Sequence, residues 1–501
     1  MPLKPRTWLV LASAIGLMLS FWACSTARGE SAAPIDATVT IDVTDPIKEF
    51  AGNPLGVNVN YWEDADAMRP SGSRSLADAL KDLGVRYLRY PGGEKSDGHL
   101  WSVPPFDRPA PTLARIGPRE WPSNDARVWS PPGDPSGRWA RPIYAFDAFM
   151  DDCRSIGCEP VLVVAYDGIY KPAGDALVTL SREQAIETAV EWVRYANVER
   201  GYGVRYWMIG NEPWLETYMG ASVPPGTYGR DVAEFAERMR LVDRSIKIGI
   251  NGNSTEFFAR ALDHALDVVD FLAVHDYPAW SIAAYNQYIA LGVDARRQID
   301  AAIGAVPVTE RDRIVIAVTE TSSANFGIAD GWQRNDLGKA LINADIMMQM
   351  LGHPAAAKVL IWNTRWVHSV PSAVPHEFDL LTATNELTAT GIQSALVAQS
   401  ILSRVVHAHA TSDHIRVMAT SSPSGDTVNI LVLNPMQEQS VRVRIRVIGD
   451  DAPRVATGRV FTGRAPTDVT PRITPLVHTG SDSDPVYVLP PLSLTSIEMS
   501  Q

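Results

Sequence analysis

Short apolar runs alternate with amphipathic stretches of helical period between residues 51 and 390. The apolar runs have the length of buried strands and predict strands at 55–62, 85–90, 160–166, 204–210, 246–251, 271–275, 314–319 and 358–362. Strands that alternate with helices are typical of a parallel sheet with helical crossovers, and eight such units predict a (β/α)8 TIM barrel. The alternative is an open doubly wound sheet, but no glycine-rich phosphate loop follows an early strand.

The stretches between the runs predict helices with one buried face. Leu76, Ala79, Leu80 and Leu83 recur at helical spacing, and Gly84 follows them directly. Glycine is favoured just past the end of a helix because it adopts a left-handed backbone conformation easily. The pattern therefore predicts a helix that packs on the sheet and ends at Gly84.

After residue 390 the pattern becomes that of an all-β domain. A last helix is predicted at 391–402, followed by alternating apolar and polar runs at 414–418, 428–433, 441–447 and 486–489. Residues 37–43 alternate in the same way. We therefore expect a barrel at 51–390, and a C-terminal helix and β-sandwich at 391–501 that also takes in an N-terminal strand at 36–50.

The segment at 94–142 contains ten prolines, which is too many for a helix or a central strand. It predicts a long irregular loop after the second barrel strand. The loop carries Trp101, Trp121, Trp129 and Trp139. Aromatic faces pack well on the apolar faces of sugar rings, so at least one tryptophan could serve as a sugar platform; the alternative is that they anchor the loop.

Composition narrows the class of partner. The chain has 501 residues, of which 46% are hydrophobic and 20% charged, and this argues for a large packed core rather than disorder. The net charge of -12 argues against nucleic acid or an anionic membrane as the main partner, because both attract clustered Lys and Arg. An uncharged substrate fits better.

The first residues have the pattern of an export signal, with Lys4 and Arg6 before an apolar stretch at 8–23. Two interpretations of residues 1–27 remain open: a lipoprotein signal, in which Cys24 becomes a lipid-bearing first residue, or an ordinary signal cleaved after Ala27. Either predicts an exported protein that is extracellular, periplasmic or lipid-anchored at the cell envelope. A lipid on Cys24 would attach the protein to a membrane.

Cys153 and Cys158 are the only other cysteines of the chain. They are close enough in sequence to form one short-loop disulfide in an oxidising compartment. The alternative is two buried thiols. Neither alternative implies a metal or catalytic role.

Two glutamates follow predicted barrel strands and are the strongest candidates for chemistry. Asn211 and Glu212 follow the run at 204–210, and Glu320 follows the run at 314–319. Side chains at the carboxyl ends of barrel strands meet at the mouth where such folds place their active sites. Pro213 disfavours a helical conformation for the residue before it, so an extended Glu212 is predicted. Two carboxylates at this mouth indicate glycoside hydrolysis, which in its retaining form needs a separation of about 5 to 5.5 Å.

Other polar residues are expected at the same rim. Arg89 lies at the end of the second strand and would keep a nucleophilic carboxylate charged, while His275 and Tyr277 lie at the end of the sixth strand and add hydrogen-bond donors. No cofactor loop and no metal-binding spacing of histidines is present in the sequence. We therefore expect neither a cofactor nor a metal ion.

These residues resemble the retaining (β/α)8 glycoside hydrolases, and several segments are similar to the α-L-arabinofuranosidase family within that clan. The similar segments are Arg-Tyr-Pro-Gly-Gly at 89–93, His-Leu-Trp at 99–101, Ile-Gly-Pro-Arg-Glu at 116–120, Ile-Gly-Asn-Glu at 209–212, and His275 with Tyr277. The resemblance implies that Glu212 is the acid/base, Glu320 the nucleophile and Asn211 the partner of a sugar hydroxyl. Further substrate contacts are expected from Arg89, His275, Tyr277, Asn60, Trp101 and Trp362.

The sugar and the mode of cleavage stay open. The first strand lacks the glutamate with which arabinofuranosidases usually hold their sugar, Glu94 stands where Asn commonly follows the two glycines, and Trp362 ends the eighth strand where that family usually differs. Arabinofuranosidase-like activity is expected. The alternatives are a related β-xylosidase, β-glucuronidase or endo-β-glucanase, or a carbohydrate-binding barrel without turnover. Exo or endo action and oligomeric state are not determined by the sequence.

Overall fold

The computed structural model describes residues 33–328, 332–366, 375–449, 455–481 and 485–501. The predicted export signal at 1–27, with Cys24, lies outside these ranges. Within them, no helix is long and apolar enough to cross a membrane.

Eight parallel strands form a closed barrel, in which neighbours in the chain are neighbours in the barrel and the eighth strand pairs with the first. Barrel strands one to eight are Leu55–Asn58, Tyr87–Tyr90, Glu159–Val164, Tyr206–Ile209, Lys247–Gly252, Phe271–Asp276, Val315–Thr321 and Ala356–Ile361. Each overlaps its predicted run to within a few residues. The predicted TIM barrel is confirmed, and closure rules out the open sheet.

Helices surround the barrel. They are α1 (Leu76–Leu83), α2 (Phe146–Ile156), α3 (Arg182–Val193), α4 (Pro225–Val242), α5 (Thr255–Ala265), α6 (Tyr285–Leu291), α7 (Arg297–Ala305), α8 (Leu337–Gly352) and α9 (Ala389–Gln399). In α1 the hydroxyl of Ser75 accepts from the N–H of Asp78, and Gly84 closes the helix at φ 69°. The predicted end of this helix is confirmed.

A layer of apolar side chains fills the lower part of the barrel interior. Its buried members are Tyr87, Val161, Val163, Met208, Phe271, Ala273, Ala317 and Leu360. Gly249 leaves room for the Phe271 ring, because a Cβ at this glycine would lie 2.1 Å from it. The apolar layer forms the floor below the polar residues at the carboxyl ends of the strands.

A nine-stranded sheet forms the second part of the molecule. Its order is Arg472–Leu476, Val455–Thr462, Ser493–Ser500, Thr427–Asn434, Arg416–Ser421, Arg404–Ala410, Ile35–Glu49, Val441–Ile448 and Val486–Leu489. The N-terminal strand Ile35–Glu49 pairs antiparallel with Arg404–Ala410 and parallel with Val441–Ile448. The predicted entry of an N-terminal strand into this sheet is confirmed.

The sheet folds over a core of its own. Tyr487 lies on a strand at one end of the strand order, and Gly458 lies on a strand near the other end. The two residues approach closely, because a Cβ on Gly458 would lie 2.9 Å from the Tyr487 ring. Between the two layers lie buried residues such as Val39, Ile41 and Ile445. This packing is that of a β-sandwich, as predicted.

The long segment after barrel strand two is irregular, as its prolines predict. It contains a 3-10 turn at Glu94–Ser96 and two-residue ladders such as Trp129–Ser130 with Arg138–Trp139. Farther along, α2 carries Cys153, and Cys158 follows it. Both cysteines are free thiols in the structure, Cys153 buried and Cys158 partly buried.

Candidate active site

A pocket of about 410 Å³ opens at the carboxyl ends of the barrel strands. Its lining residues are Glu94, Glu212, Trp214, Leu215, Asn253, His275, Asp276, Tyr277, Trp280, Arg297, Gln298, Glu320, Phe326, Trp362 and Trp366. Five of these were expected site residues: Glu212, His275, Tyr277, Glu320 and Trp362. The prediction that the site lies at the carboxyl ends of the barrel strands therefore identified residues at the centre of this pocket.

A larger cleft of about 560 Å³ lies on the C-terminal sheet. Its lining contains one carboxylate, Asp468, whose oxygens already accept from the backbone N–H groups of Arg464 and Thr470. This cleft offers no pair of acids, so the chemistry belongs to the barrel pocket.

The backbone at Glu212 differs from the prediction. Barrel strand four ends at Ile209, and Glu212 has a left-handed φ of 50° instead of an extended one. The N–H of Leu215 donates to the carbonyl of Glu212 (2.8 Å), which closes a tight turn. The prediction of an extended Glu212 is wrong because a following proline disfavours the right-handed helical region but does not decide between the extended region and this turn. The turn directs the carboxylate towards His275.

Both oxygens of Glu320 accept short hydrogen bonds. Arg89 donates from Nη1 to Oε1 and Tyr277 donates from Oη to Oε2, each at 2.6 Å. Burial would raise the pKa of Glu320, but the charges of His275 and Arg89 and these two hydrogen bonds outweigh burial and hold the pKa below its usual value. Glu320 is therefore buried and ionised.

Glu212 is paired with His275 instead. Nδ1 of His275 lies 2.9 Å from Oε1 of Glu212, and Nε2 lies 3.4 Å from Nδ2 of Asn251. The Oδ1 of Asn251 accepts from the N–H of Glu212 (3.4 Å), which orients the amide so that its nitrogen faces the histidine. Nδ1 of His275 therefore carries a proton and donates to Glu212.

The two carboxylates are close enough to act on one bond. One carboxylate oxygen of Glu212, one of Glu320 and Nδ1 of His275 all lie within 4.8 Å of one another. Such a group has the composition of a metal site, but Arg89 and Tyr277 already occupy the oxygens of Glu320. The arrangement suits acid and nucleophile chemistry better than metal binding.

Arg89 connects the polar residues beneath the pocket. It is fully buried, and it donates from Nη1 to Oδ1 of Asn58 (2.8 Å) and from Nη2 to Oδ1 of Asn211 (2.7 Å). Within the described part of the chain, Nδ2 of Asn211 is buried and has no hydrogen-bond partner. Asn211 therefore has a fixed amide with a free donor beside Glu212.

The structure does not bring Asn60 and Trp101 to the pocket. Asn60 forms a turn, in which its N–H donates to Asp64 (2.6 Å) and its Oδ1 accepts from the N–H of Trp62 (3.3 Å). Trp101 is buried in the core, stacked on Trp192 with ring centroids 6.1 Å apart. On the first strand, Asn58 and not Asn60 contacts the site.

Sequence reasoning missed several residues of this region. Trp366 lies beside Trp362 in the pocket wall, and Trp280 and Phe326 form an exposed aromatic pair at the rim. These three lie in loops after the strand ends, where the sequence gives no periodic signal. Asn251 could have been found, because it falls at the end of a predicted strand as Asn211 nearly does.

No known family model matches the chain. It is 26% identical over 267 residues to the intracellular exo-α-(1→5)-L-arabinofuranosidase of Streptomyces lividans, an alignment that covers 47% of this chain and 34% of that protein. It is 25% identical over 233 residues to intracellular exo-α-(1→5)-L-arabinofuranosidase 1 of Bacillus subtilis, covering 44% and 42%. The chain thus spans less than half the length of these relatives.

Solved structures match over nearly the whole chain. A family 51 α-L-arabinofuranosidase of Bifidobacterium longum has a TM-score of 0.69 at 16% identity, with 94% of this chain and 99% of that chain covered. A family 44 xyloglucanase of Paenibacillus polymyxa has a TM-score of 0.61 at 11% identity, with 93% and 100% covered. The fold is that of the (β/α)8 glycoside hydrolases with an attached β-domain. Within that class, the chain is similar to the arabinofuranosidases in both sequence and fold.

The prediction of an exported protein is contradicted by these relatives, both of which are named intracellular. The prediction depended on the basic and apolar residues at 1–27 alone, and none of these is among the described residues. A short apolar segment after two basic residues is a weak signal, because it reflects composition and not a fold.

Proposed function

We propose that this chain is a retaining glycoside hydrolase with arabinofuranosidase-like activity. The observation that carries the proposal is the carboxylate pair at the barrel mouth, with oxygens within 4.8 Å of each other and with different surroundings. Retaining enzymes need two carboxyl groups about 5 to 5.5 Å apart, whereas inverting enzymes need a wider gap that holds a water molecule. The geometry therefore supports double displacement.

Glu320 is the proposed nucleophile. Its lowered pKa keeps it ionised, and its hydrogen bonds to Arg89 and Tyr277 fix its orientation. An ionised and fixed carboxylate can attack the anomeric carbon and form a glycosyl-enzyme. As the bond forms, the negative charge leaves Glu320.

Glu212 is the proposed acid/base. Its side chain is 21% exposed, compared with 6% for Glu320, so water can reach it for the second step. Its Oε1 accepts from His275, which leaves Oε2 to give a proton to the departing oxygen and later to take one from water. His275 acts as the positioning residue for this carboxyl group.

The glycone has further partners in the pocket. The free Nδ2 of Asn211 can donate to the hydroxyl next to the reacting carbon, and the rings of Trp362 and Trp366 offer apolar faces. The similarity to arabinofuranosidases favours an α-L-arabinofuranoside as the glycone. Aryl β-xylosides and β-glucosides are the comparison substrates, because the fold is shared with a xyloglucanase.

The test replaces each carboxylate in turn. Glu320→Ala should lose nearly all activity on every glycoside, because no covalent intermediate can form. Glu212→Ala should retain its first step only with good phenolate leaving groups, and azide should then restore turnover, because azide needs no base to attack. General acid/base assistance is worth about 10² to 10⁴ in rate, so rescue of that order is expected.

Product stereochemistry separates the two roles. The azide product of Glu212→Ala should keep the anomeric configuration of the substrate. Azide rescue of Glu320→Ala alone, with a product that keeps the configuration of the substrate, would reverse the assignments, and full activity in either variant would contradict the proposal. Glu216→Ala is the matched control, because this glutamate lies on the same loop but its side chain is 76% exposed.

A further inference from the structure

Lys95 lies next to two residues of the pocket wall, Trp362 and Trp366, in an unusual environment. It follows Gly93 and Glu94 after barrel strand two, within the 3-10 turn Glu94–Ser96, and is only 3% exposed. Its ammonium nitrogen is buried and has no hydrogen-bond partner among the residues that the structure describes. Lysine is rarely buried without a partner, so this residue requires an explanation.

Tryptophan rings surround the ammonium group. Nζ lies 4.0 Å from the ring centroid of Trp366, 5.1 Å from that of Trp362, and 5.8 Å from those of Trp62 and Trp121. Trp362 and Trp366 also line the pocket. The aromatic faces stabilise the cation at the wall of the pocket, but they accept no conventional hydrogen bond.

Carboxylates face Lys95 without bonding to it. Burial lowers the pKa of Lys95 to about 8, although the charges of Glu94, Glu320, Glu63 and Asp64 favour its ammonium form. Three of these acids are held by arginines: Glu320 by Arg89, Glu63 by Arg141, and Asp64 by Arg365. The fourth, Glu94, accepts from the N–H of Tyr218 (3.1 Å). Lys95 therefore stays close to negative charge while its own N–H groups lack acceptors.

The segment that carries Lys95 runs directly beside the proposed nucleophile. A Cβ on Gly93 would lie 2.6 Å from Oε1 of Glu320 and 2.6 Å from the Trp362 ring. The segment that carries Lys95 is thus placed on the Glu320 side of the pocket, where the glycone would bind. A buried donor without an acceptor is unfavourable in the empty protein, and a bound ligand that supplies an oxygen removes that penalty.

We propose that Lys95 is a glycone-binding residue, whose ammonium donates a hydrogen bond to an oxygen of the sugar unit that Glu320 attacks. The inference rests on the glycoside hydrolase function proposed above and adds a determinant of specificity to it. The oxygen belongs either to a hydroxyl group of a neutral sugar or to the carboxylate of a uronic acid. Both accept from an ammonium group, so the substrates must distinguish them.

The test is Lys95→Met, which keeps the length and apolar stem of lysine and removes the charge. The matched control is Lys358→Met. Lys358 is also buried over aromatic rings, 4.3 Å from the centroid of Tyr206, but it lies early in barrel strand eight, away from the pocket. We expect kcat/KM to fall about 10- to 100-fold in Lys95→Met and to stay within twofold of wild type in Lys358→Met. The melting temperature of both variants should be unchanged or higher, because each loses a buried charge.

The substrate panel consists of a neutral aryl glycoside, its monodeoxy analogues and the matching aryl uronide. If a hydroxyl is bound, one monodeoxy analogue should be hydrolysed equally by wild type and Lys95→Met. If a carboxylate is bound, the loss should appear on the uronide and not on the neutral glycoside. If Lys95→Met stayed within twofold of wild type on every substrate, or lost the same factor on all of them, the inference would be overturned. The proposed hydrolase function would still stand in that case, because it is tested separately by Glu320→Ala. A wild-type protein that cleaves no glycoside would instead refute the proposed function, and the inference with it.

Discussion

The ionisation of Glu320 depends in part on the phenol of Tyr277, which donates to one of its oxygens. Tyr277→Phe removes the 2.6 Å hydrogen bond to Oε2 and should raise the pKa of Glu320, which is otherwise held below its usual value. The proposed nucleophile is active when ionised, so activity should be lost as the pH falls through this pKa. In the variant the acid limb of the kcat/KM profile should therefore move to higher pH. Because hydrogen bonds to charged groups are worth about 1.5 to 3 kcal/mol, kcat/KM should also fall by roughly one to two orders of magnitude.

A second tyrosine provides the control for this variant. Tyr288 is buried and donates to a carboxylate oxygen of Asp345 (2.9 Å), on helices outside the pocket. Tyr288→Phe should lower stability by an amount similar to Tyr277→Phe and leave the pH profile unchanged. If the acid limb shifted equally in Tyr277→Phe and Tyr288→Phe, the shift would reflect general destabilisation and not the ionisation of Glu320.

At this scale the sequence predicts positions better than conformations. Glu212 and Glu320 could be found because buried strands end abruptly in polar residues. The left-handed turn at Glu212 could not, because it depends on Asn251 and Leu215, which the chain brings together only on folding. The surroundings of Lys95 were equally hidden, since its four tryptophans come from distant segments.

None of the four tryptophans at 94–142, all of which the structure describes, is among the residues that line the barrel pocket, and Trp101 anchors the loop instead. Trp101 donates from Nε1 to the carbonyl of Thr188 (3.0 Å) and stacks on Trp192 of α3, so it fastens the loop to the barrel. Trp101→Ala should lower the free energy of unfolding by about 3 to 5 kcal/mol, as for other buried aromatic residues. The measurement is thermal or denaturant unfolding, with KM for small aryl glycosides as the second readout.

Trp362→Ala is the contrasting variant. Trp362 lines the pocket, so Trp362→Ala should raise KM more than Trp101→Ala does. It should lower the free energy of unfolding less than Trp101→Ala does. If Trp101→Ala raised KM and left stability unchanged, Trp101 would contact the sugar and would not serve as an anchor of the loop.

The elements themselves were predictable where burial gives a simple pattern. Barrel strands are buried on both sides and appear as short apolar runs, so all eight were identified. Four strands of the sheet were missed. Ser493–Ser500 is mostly buried on both faces, although it contains serine and threonine, and Arg472–Leu476 is an exposed edge strand, so neither alternates. Such strands are specified by their neighbours and not by their own sequence.

For the whole molecule, the barrel and the sheet share one apolar core. Leu431, Phe461 and Leu494 of the sheet belong to the same buried cluster as Leu337 of α8 and Leu396 of α9. The N–H groups at the start of α8 also donate to the sheet domain, Leu337 to the carbonyl of Asp468 (2.8 Å). The two parts should therefore unfold together, and a defect deep in the sheet should reach the barrel.

Ile41 of the N-terminal strand tests this coupling. Its side chain is fully buried between the layers of the sheet, where it pairs in register with Ala408 and Val447. Ile41→Asp places a carboxylate without a partner in this core, a change expected to destabilise by more than about 4 kcal/mol. Calorimetry should show one transition at a lower temperature, and the hydrolase activity should be lost in that same transition.

The neighbouring residue Thr40 supplies the control. It lies on the opposite face of the strand, only partly buried, and its register partners are His409 and Arg446. An aspartate there meets positive charge across the strands, so Thr40→Asp should leave the melting temperature nearly unchanged. If Ile41→Asp gave two separate transitions, with activity retained through the first, the barrel would be stable without the sheet. The shared core would then be a contact between independent domains, because a cooperative unit cannot lose one half and keep the other.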